Sequence, residues 1–322
     1  MVQVPASDRS AAGDGVTIDV MIPFWGDPEL LFEAIGSVRA QTDPNWRLTV
    51  VDDCYPESVA QRMAELGDDR LRYVRNERNV GITNNFRRCI ESASADIVVL
   101  MGCDDLMLPN YVATVRAAAQ ACPRASLIQP GVEVIDQSGA TAVSLRDLVK
   151  ARLVRPRSDR PLLLTGQRAA ASLLRGNWLY WPSLAFRRRD LAGVDFRDSF
   201  PVIQDLAFVM DLILAGGSLL YVPTVCFRYR RHAASASSSA AIDGSRFEGE
   251  RRYLALAERL TRAKGWRRAA GRARWRLLSR LDALTIVPGA IASRQWAGLA
   301  LLLRHVVGFG AGPTEPVAAD RG

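Results

Sequence analysis

Along the first 135 positions, apolar residues fall into short unbroken runs separated by stretches in which they recur every three or four residues. Thr17–Phe24, Trp46–Val51, Leu71–Val74, Ile97–Met101 and Leu127–Val134 read as strands. Their near-continuous hydrophobicity, in place of alternation, is what a strand covered on both faces requires. An amphipathic run from Leu30 to Ala40 behind Pro28, a segment from about Ser58 to Leu66, Phe86–Ser92, and a run from Pro109 to about Ala121 predict helices between them. Strands alternating with helices of this length argue βαβ units: an α/β fold with a Rossmann-like, mostly parallel sheet flanked by helices.

Beyond Val134 the pattern changes. Asp136–Pro161 carries Arg, Asp and Pro with little periodicity and reads as a loop or mobile lid. A short helix near Arg168–Leu174, a polar-aromatic patch Asn177–Ser183 and a strand through Phe186 follow. Then come a helix Leu206–Ala215 closed by Gly216-Gly217 and a strand Leu219–Val222. Ala233–Ala241 is low in complexity and expected to be flexible. Met1–Gly15 is small and polar with no apolar core, so it reads as a disordered tail and not a signal peptide. The chain thus divides into a tail (1–15), a main domain (16–240) with halves at 16–135 and 136–240, and a helical C-terminal region (241–322).

Composition changes this picture in two places. Five cysteines are scattered without a CxxC pair, which suggests reduced thiols in a cytoplasmic protein and neither a disulfide framework nor a zinc site. The net charge of +8 is uneven: from Arg246 to Arg280, eleven arginines and Lys264 face three glutamates, so this segment carries +9 and the rest about −1. A helical stripe through Trp266, Ala270, Ala273, Leu277, Leu281 and Leu284 lies among these arginines, and Trp296–Val307 is apolar again. The pattern suits the inner face of an anionic membrane, with packing against the main domain as the competing reading. No nucleic-acid-binding motif accompanies the charge. The longest apolar stretch, near Trp296–Leu303, falls short of the ~18–20 residues that span a bilayer.

The candidate chemistry sits at strand ends. Ile97–Met101 runs into Gly102-Cys103-Asp104-Asp105, and Trp46–Val51 into Asp52-Asp53. In an open α/β sheet, ligands bind beyond the carboxyl ends of the strands. Two adjacent carboxylates there repel unless a cation sits between them, and a hard Mn²⁺ or Mg²⁺ shared with substrate phosphates is the simplest candidate. The bland alternative is a solvated pair capping the helix at Pro109. Cys103 is a poor ligand for a hard cation and is assigned to packing.

These residues carry a family resemblance. Val20-Met21-Ile22-Pro23-Phe24-Trp25, Val50-Val51-Asp52-Asp53, Asn79-Val80-Gly81 with Asn85, and Cys103-Asp104-Asp105 stand in the order and spacing of glycosyltransferase family 2. The resemblance continues through Gln204-Asp205 and Arg228-Tyr229-Arg230-Arg231-His232, covering about Thr17 to Ser235. It implies the GT-A fold and transfer of a sugar from a nucleotide-sugar donor, with inversion. By the resemblance, Pro23 and Phe24 lie beside the nucleotide and Asp53 partners the base. Asn79, Gly81 and Asn85 shape the floor of the donor site, and Asp104 lies near the donor ribose or sugar. Asp105 resembles the metal ligand of the family's Asp-X-Asp motif, although Cys103 stands where that motif has its first acid.

Asp205 matches the family's general base, with Gln204 in place of the usual Glu and assigned to the acceptor; a helix N-cap is the competing reading for Asp205. His232 is expected at the metal-diphosphate site and Arg230 at the phosphates. Trp178 and Trp181 are candidate stacking faces for an acceptor sugar, or else core residues. The implied donor is a UDP- or dTDP-sugar, and the implied acceptor a hydroxyl of a glycan or lipid-linked glycan in cell-envelope or polysaccharide assembly. The Gln-x-x-Arg-Trp motif of processive synthases is absent, which favours adding one or a few sugars. Cys103 and Gln204 leave open an inactive nucleotide-sugar-binding scaffold.

Overall fold

Ile18, Val20, Ile22 and Phe24 turn to one face of the central strand and Met21 to the other, and both faces are covered by core, which is why the apolar run is unbroken. A computed structural model describes residues 16–142, 154–231, 245–292 and 294–307. The first half runs β1 (Ile18–Phe24), α1 (Pro28–Arg39), β2 (Trp46–Asp52), α2 (Ala60–Glu65), β3 (Leu71–Arg75), α3 (Ile82–Ser92), β4 (Ile97–Leu100), β5 (Leu106–Met107), α4 (Tyr111–Ala121) and β6 (Leu127–Ile135). After it come β7 (Leu162–Thr165), α5 (Gly166–Arg175), β8 (Ala185–Arg187), α6 (Gln204–Leu214) and β9 (Ser218–Arg230).

The nine described strands form one sheet in the order β3-β2-β1-β4-β8-β6-β9-β5, with β7 also on β9. Strands β3, β2, β1 and β4 are parallel neighbours, as the βαβ reading requires. Beyond β4 the direction changes: β8 is antiparallel to both β4 and β6, and β9 is parallel to β6.

Local chemistry sets the helix starts. Asp27 caps α1, its side chain accepting from the Glu29 amide at 2.8 Å, with Pro28 in the first turn. Helix α3 begins at Ile82, a turn before the expected Phe86, because Gly81 takes a positive φ of 82° at its N-cap. Its first turn is polar, so apolar periodicity alone did not reach it.

Two elements extend the expectation in ways that build the site. Strand β9 continues past Val222 to Arg230, and the two-residue strand β5 pairs with it, Leu106 opposite Arg228. Asp104-Asp105 is thereby held against the end of β9. The segment expected as a loop from Asp136 is a tight turn closed by Asp136 and Ala140, with Thr141 bridging back to Ile135. Residues 143–153 of that segment, and the tail and low-complexity stretch, lie outside the described residues.

The C-terminal region contains α7 (Ser245–Ala263), α8 (Arg267–Trp275), α9 (Leu277–Ala292) and α10 (Trp296–Val307). Tyr253, Leu254 and Ala257 of α7 and Ala269 and Ala273 of α8 share a core with α5 and α6. The single stripe expected from Trp266 to Leu284 is broken at Arg276, which adopts a left-handed φ of 48°. Ala270 and Ala273 face inward while Leu277, Leu281 and Leu284 face solvent. No described helix is long and apolar enough to cross a membrane.

Candidate active site

Asp105 is a buried carboxylate at the sheet edge. Its Oδ1 accepts the backbone amide of Arg230 at 2.8 Å, while Oδ2 is buried with no hydrogen-bond partner. Burial, and then the charge of neighbouring Asp104, pushes its carboxyl well above the usual range, with Arg230 opposing. A buried oxygen left without a donor is costly. A divalent cation would relieve both the repulsion and the orphaned oxygen, so the donor set fits one. Gly102 makes room for the pair: a Cβ there would lie 2.4 Å from Asp105 Oδ2 and 2.9 Å from Asp104 Oδ1.

Arg230 braces this edge from beneath. Its guanidinium donates to Asp104 O (2.8 Å), Gln137 O (2.9 Å) and Glu33 Oε2 (2.7 Å), and the side chain is 3% exposed. The expectation that Arg230 meets donor phosphate is corrected accordingly: its three nitrogens are committed within the protein. In front of the pair opens a cleft of about 530 Å³ between Trp25–Asp27 and Cys103-Asp104. Cys103 packs partly buried against the core, and burial pushes its thiol up to about 12, so it stays protonated.

Asp53 pins the next loop. Its Oδ1 accepts from Asn76 Nδ2 and the Val80 amide, both at 2.8 Å, and its Oδ2 from the Gly81 amide at 2.9 Å. The Gly81 amide also reaches Asn79 Oδ1 at 3.0 Å. Of the roughly four acceptor positions of a carboxylate, one on Oδ2 remains. Asn85 is buried, donating to Val51 O at 2.8 Å and accepting from Asn76. Asn85 thus ties the end of β2 to the Asn76–Gly81 loop from inside. Pro23 and Phe24 are likewise buried, Phe24 packing on Tyr55 at 5.2 Å. The aromatic face offered outward is Trp25, 49% exposed and edge-on to the same tyrosine.

Asp205 stands at the second position of α6, whose N-cap is Ile203; it is therefore not the capping residue. Asn177 Nδ2 donates to its Oδ2 at 3.0 Å. Neighbouring Gln204 accepts from the Thr83 hydroxyl at 2.7 Å, which ties the start of α6 to the start of α3 behind the Asn79–Gly81 loop. Burial, then the charges of Asp105 and Asp104, push the Tyr229 phenol up to about 12, with Arg231 opposing and Asp205 adding least.

Residues 19–193 match the sequence model of Glycosyl transferase family 2, more than half of the chain. The chain belongs to glycosyltransferase family 2. Among curated family relatives, WcaA of Escherichia coli (strain K12), named for colanic acid biosynthesis, is 30% identical over 105 residues, 32% of this chain and 38% of that protein. WfgD of Escherichia coli, a UDP-Glc:α-D-GlcNAc-diphosphoundecaprenol β-1,3-glucosyltransferase, is 25% identical over 97 residues, 30% of this chain and 38% of that protein. The chain spans 14% and 38% of the first two curated relatives it matches. The crystal structure of Staphylococcus aureus TarS residues 1–349 with UDP-GlcNAc superposes with a TM-score of 0.62 at 14% identity, covering 90% of this chain and 81% of that one. The mostly parallel sheet flanked by helices is the GT-A fold shared with that neighbour.

Within this family 2 fold, the expected acceptor platform is corrected. Trp178 is 1% exposed, its Nε1 donating to Ser172 Oγ at 3.1 Å and its ring edge-on to Tyr221. Trp181 packs among Phe86, Phe186, Phe196 and Phe208. Both hold α5 and α6 to the sheet. The ring of that patch that reaches the site is Tyr180, 5.4 Å from Tyr229. His232, the second expected metal ligand, lies outside the described residues, and among the described residues no group of three or more His, Cys, Asp or Glu side chains is gathered for a metal. Sequence reasoning did not assign roles to Tyr229, Asn177, Thr83 or Glu33. Asn177, Thr83 and Glu33 each act through a partner between 28 and 197 residues away, and a local pattern carries no such signal.

Proposed function

We propose that this family 2 glycosyltransferase is metal-dependent and inverting, and that it moves a hexosyl or deoxyhexosyl group from a UDP- or dTDP-sugar to a hydroxyl of a glycan or lipid-linked acceptor in cell-envelope polysaccharide assembly. What supports the reading is the buried Asp105 carboxylate beside Asp104 at the sheet edge, with Oδ1 held by the Arg230 amide and Oδ2 left without a hydrogen-bond partner.

Asp105, with its orphaned Oδ2, and Asp104 would hold Mn²⁺ or Mg²⁺. When bound, the cation neutralises charge on the departing nucleoside diphosphate. Asp53 uses its remaining Oδ2 acceptor position for a base N–H, and Trp25 flanks the nucleotide across the cleft. Asp205, oriented by Asn177, accepts the proton of the acceptor hydroxyl as the oxygen attacks the anomeric carbon from the face opposite the diphosphate. Displacement from the opposite face inverts the configuration. An undecaprenol-linked acceptor is what WfgD is named for, and it supports a lipid-linked acceptor met at the inner face of the cell membrane.

Calorimetric titration with UDP, dTDP and GDP, each with and without Mn²⁺, tests the donor site. Metal-dependent binding of UDP or dTDP is the expected result. Metal-independent binding, or binding of none of the three, would overturn it.

A further inference from the structure

Helix α9 packs Leu278, Ile286 and Val287 inward, yet it also leaves large apolar side chains in water. Arg280, Ala283 and Ala290 face inward, and Arg276 immediately before it is buried as well. Leu277, Leu281, Leu284 and Ile291 are between 45% and 58% exposed and lie on a single stripe. Helix α10, packed beside it, repeats the arrangement: Gly298, Leu302 and His305 face inward, while Trp296, Leu303 and Val307 face out. An exposed apolar stripe on each of two helices packed together exceeds the scattered exposure ordinary for a protein.

The charge around this surface says what covers it. Arg267, Arg268, Arg272, Arg274, Arg294 and Arg304 are all exposed, and none forms an ion pair among the described residues. Between Arg267 and Val307 the sequence holds one acid, Asp282, and it pairs with Arg246 at 3.6 Å. Exposed apolar faces on a segment rich in arginine and almost free of acid are complementary to a layer that is apolar inside and anionic at its surface. A second copy docking through the same face by two-fold symmetry would set arginine against arginine. Helix α9 has 16 residues, about 24 Å at 1.5 Å per residue, and lies too short to cross.

We propose that the outer face of α9 and α10 docks in the plane of an anionic lipid bilayer, with Leu277, Leu281, Leu284, Trp296 and Leu303 entering the headgroup–acyl boundary and the arginines pairing with lipid phosphate. Membrane docking stands apart from the catalytic reading; only its consequence, delivery of the active site to lipid-linked acceptors, rests on that reading.

The test is sedimentation of the full chain with phosphatidylcholine vesicles and with vesicles rich in phosphatidylglycerol. Binding to the anionic vesicles, weakened by salt, is expected. The double variant Leu281→Glu/Leu284→Glu, at exposed positions, should bind at least roughly tenfold more weakly. Arg294→Gln/Arg304→Gln should weaken binding by a similar factor and flatten its salt dependence. Undiminished binding by the leucine variant, or equal binding to neutral and anionic vesicles, would overturn the proposal. So would a wild-type dimer in analytical ultracentrifugation that the leucine variant converts to monomer without vesicle binding. UDP titration on the same preparations separates the two readings: lost nucleotide binding with intact vesicle binding counts against the catalytic reading alone.

Discussion

The backbone amide of Arg230 donates to Asp105 Oδ1 at 2.8 Å across 125 residues of sequence. The same arginine's side chain holds the Asp104 carbonyl and reaches Glu33 on α1. The acidic pair is therefore aimed by the end of β9, through the short β5–β9 pairing, and not by its own strand. Substituting Arg230 with Met keeps the amide bond but removes the brace. The expected result is a weaker Mn²⁺ response, by roughly tenfold, with the GT-A fold intact by circular dichroism. An unchanged Mn²⁺ titration would show that the guanidinium has no share in aiming the pair.

Asp105→Asn removes the charge a cation needs while keeping the shape. Metal-stimulated nucleotide binding should disappear, and the melting temperature without metal should change little, because the substitution also relieves repulsion from Asp104. Isothermal titration beside thermal melts reads both effects at once.

Gly102 and Gly81 separate space from conformation. At Gly102 an added methyl would enter the position of the Asp105 carboxylate, so Gly102→Ala should abolish the metal response. At Gly81 nothing stands within 4 Å of an added Cβ, and only the φ of 82° resists substitution. Gly81→Ala should cost stability by about 1 kcal/mol and leave the metal response in place. Urea denaturation and Mn²⁺ titration of both variants check the contrast.

Asp205→Asn should lower turnover by roughly 10²–10⁴-fold with nucleotide affinity preserved, the loss typical of removing a positioned base. Asn177→Ala, which removes one donor to the carboxylate without removing the carboxylate, should fall between that variant and the parent. Single-turnover sugar transfer measured beside nucleotide affinity distinguishes a lost base from a lost donor site.

His305 makes the C-terminal helices sensitive to acid. It is buried, with its ring nitrogens on Ser279 Oγ (2.7 Å) and the Phe247 carbonyl (3.1 Å). Burial first, then the charge of Arg276, with Arg280 and Arg251 adding to it, brings it from 6.5 down to about 4. Between those values the unfolded chain binds more protons than the folded one, so stability rises with pH across that window and is lost as pH falls through it. Thermal melts from pH 4 to 7 should show the slope, and His305→Gln should flatten it.

The parallel half of the sheet was legible because its signals are local: unbroken apolar runs, helix periodicity between them and acidic pairs at strand ends. Asp105 and Asp205 were legible as family motifs. Trp178 was not, since a tryptophan beside polar residues has the same local pattern whether it stacks on a sugar or fills a core, and its burial depends on Tyr221 from β9. Arg230 was misread for a similar reason: guanidinium suits phosphate and carbonyl oxygen alike, and only the folded chain shows which it meets.

The amino-acid sequence by itself determined the α/β class, the sheet edge that carries the carboxylates, and the basic apolar character of the C-terminal helices, because periodicity and charge act within a few turns of chain. Tertiary structure alone decided that the Arg230 amide holds Asp105, that the Arg230 side chain braces the pair, and that α9 leaves Leu277, Leu281 and Leu284 exposed. The first two depend on which residues meet across a hundred positions or more, and the helical stripe is broken by a left-handed residue at Arg276.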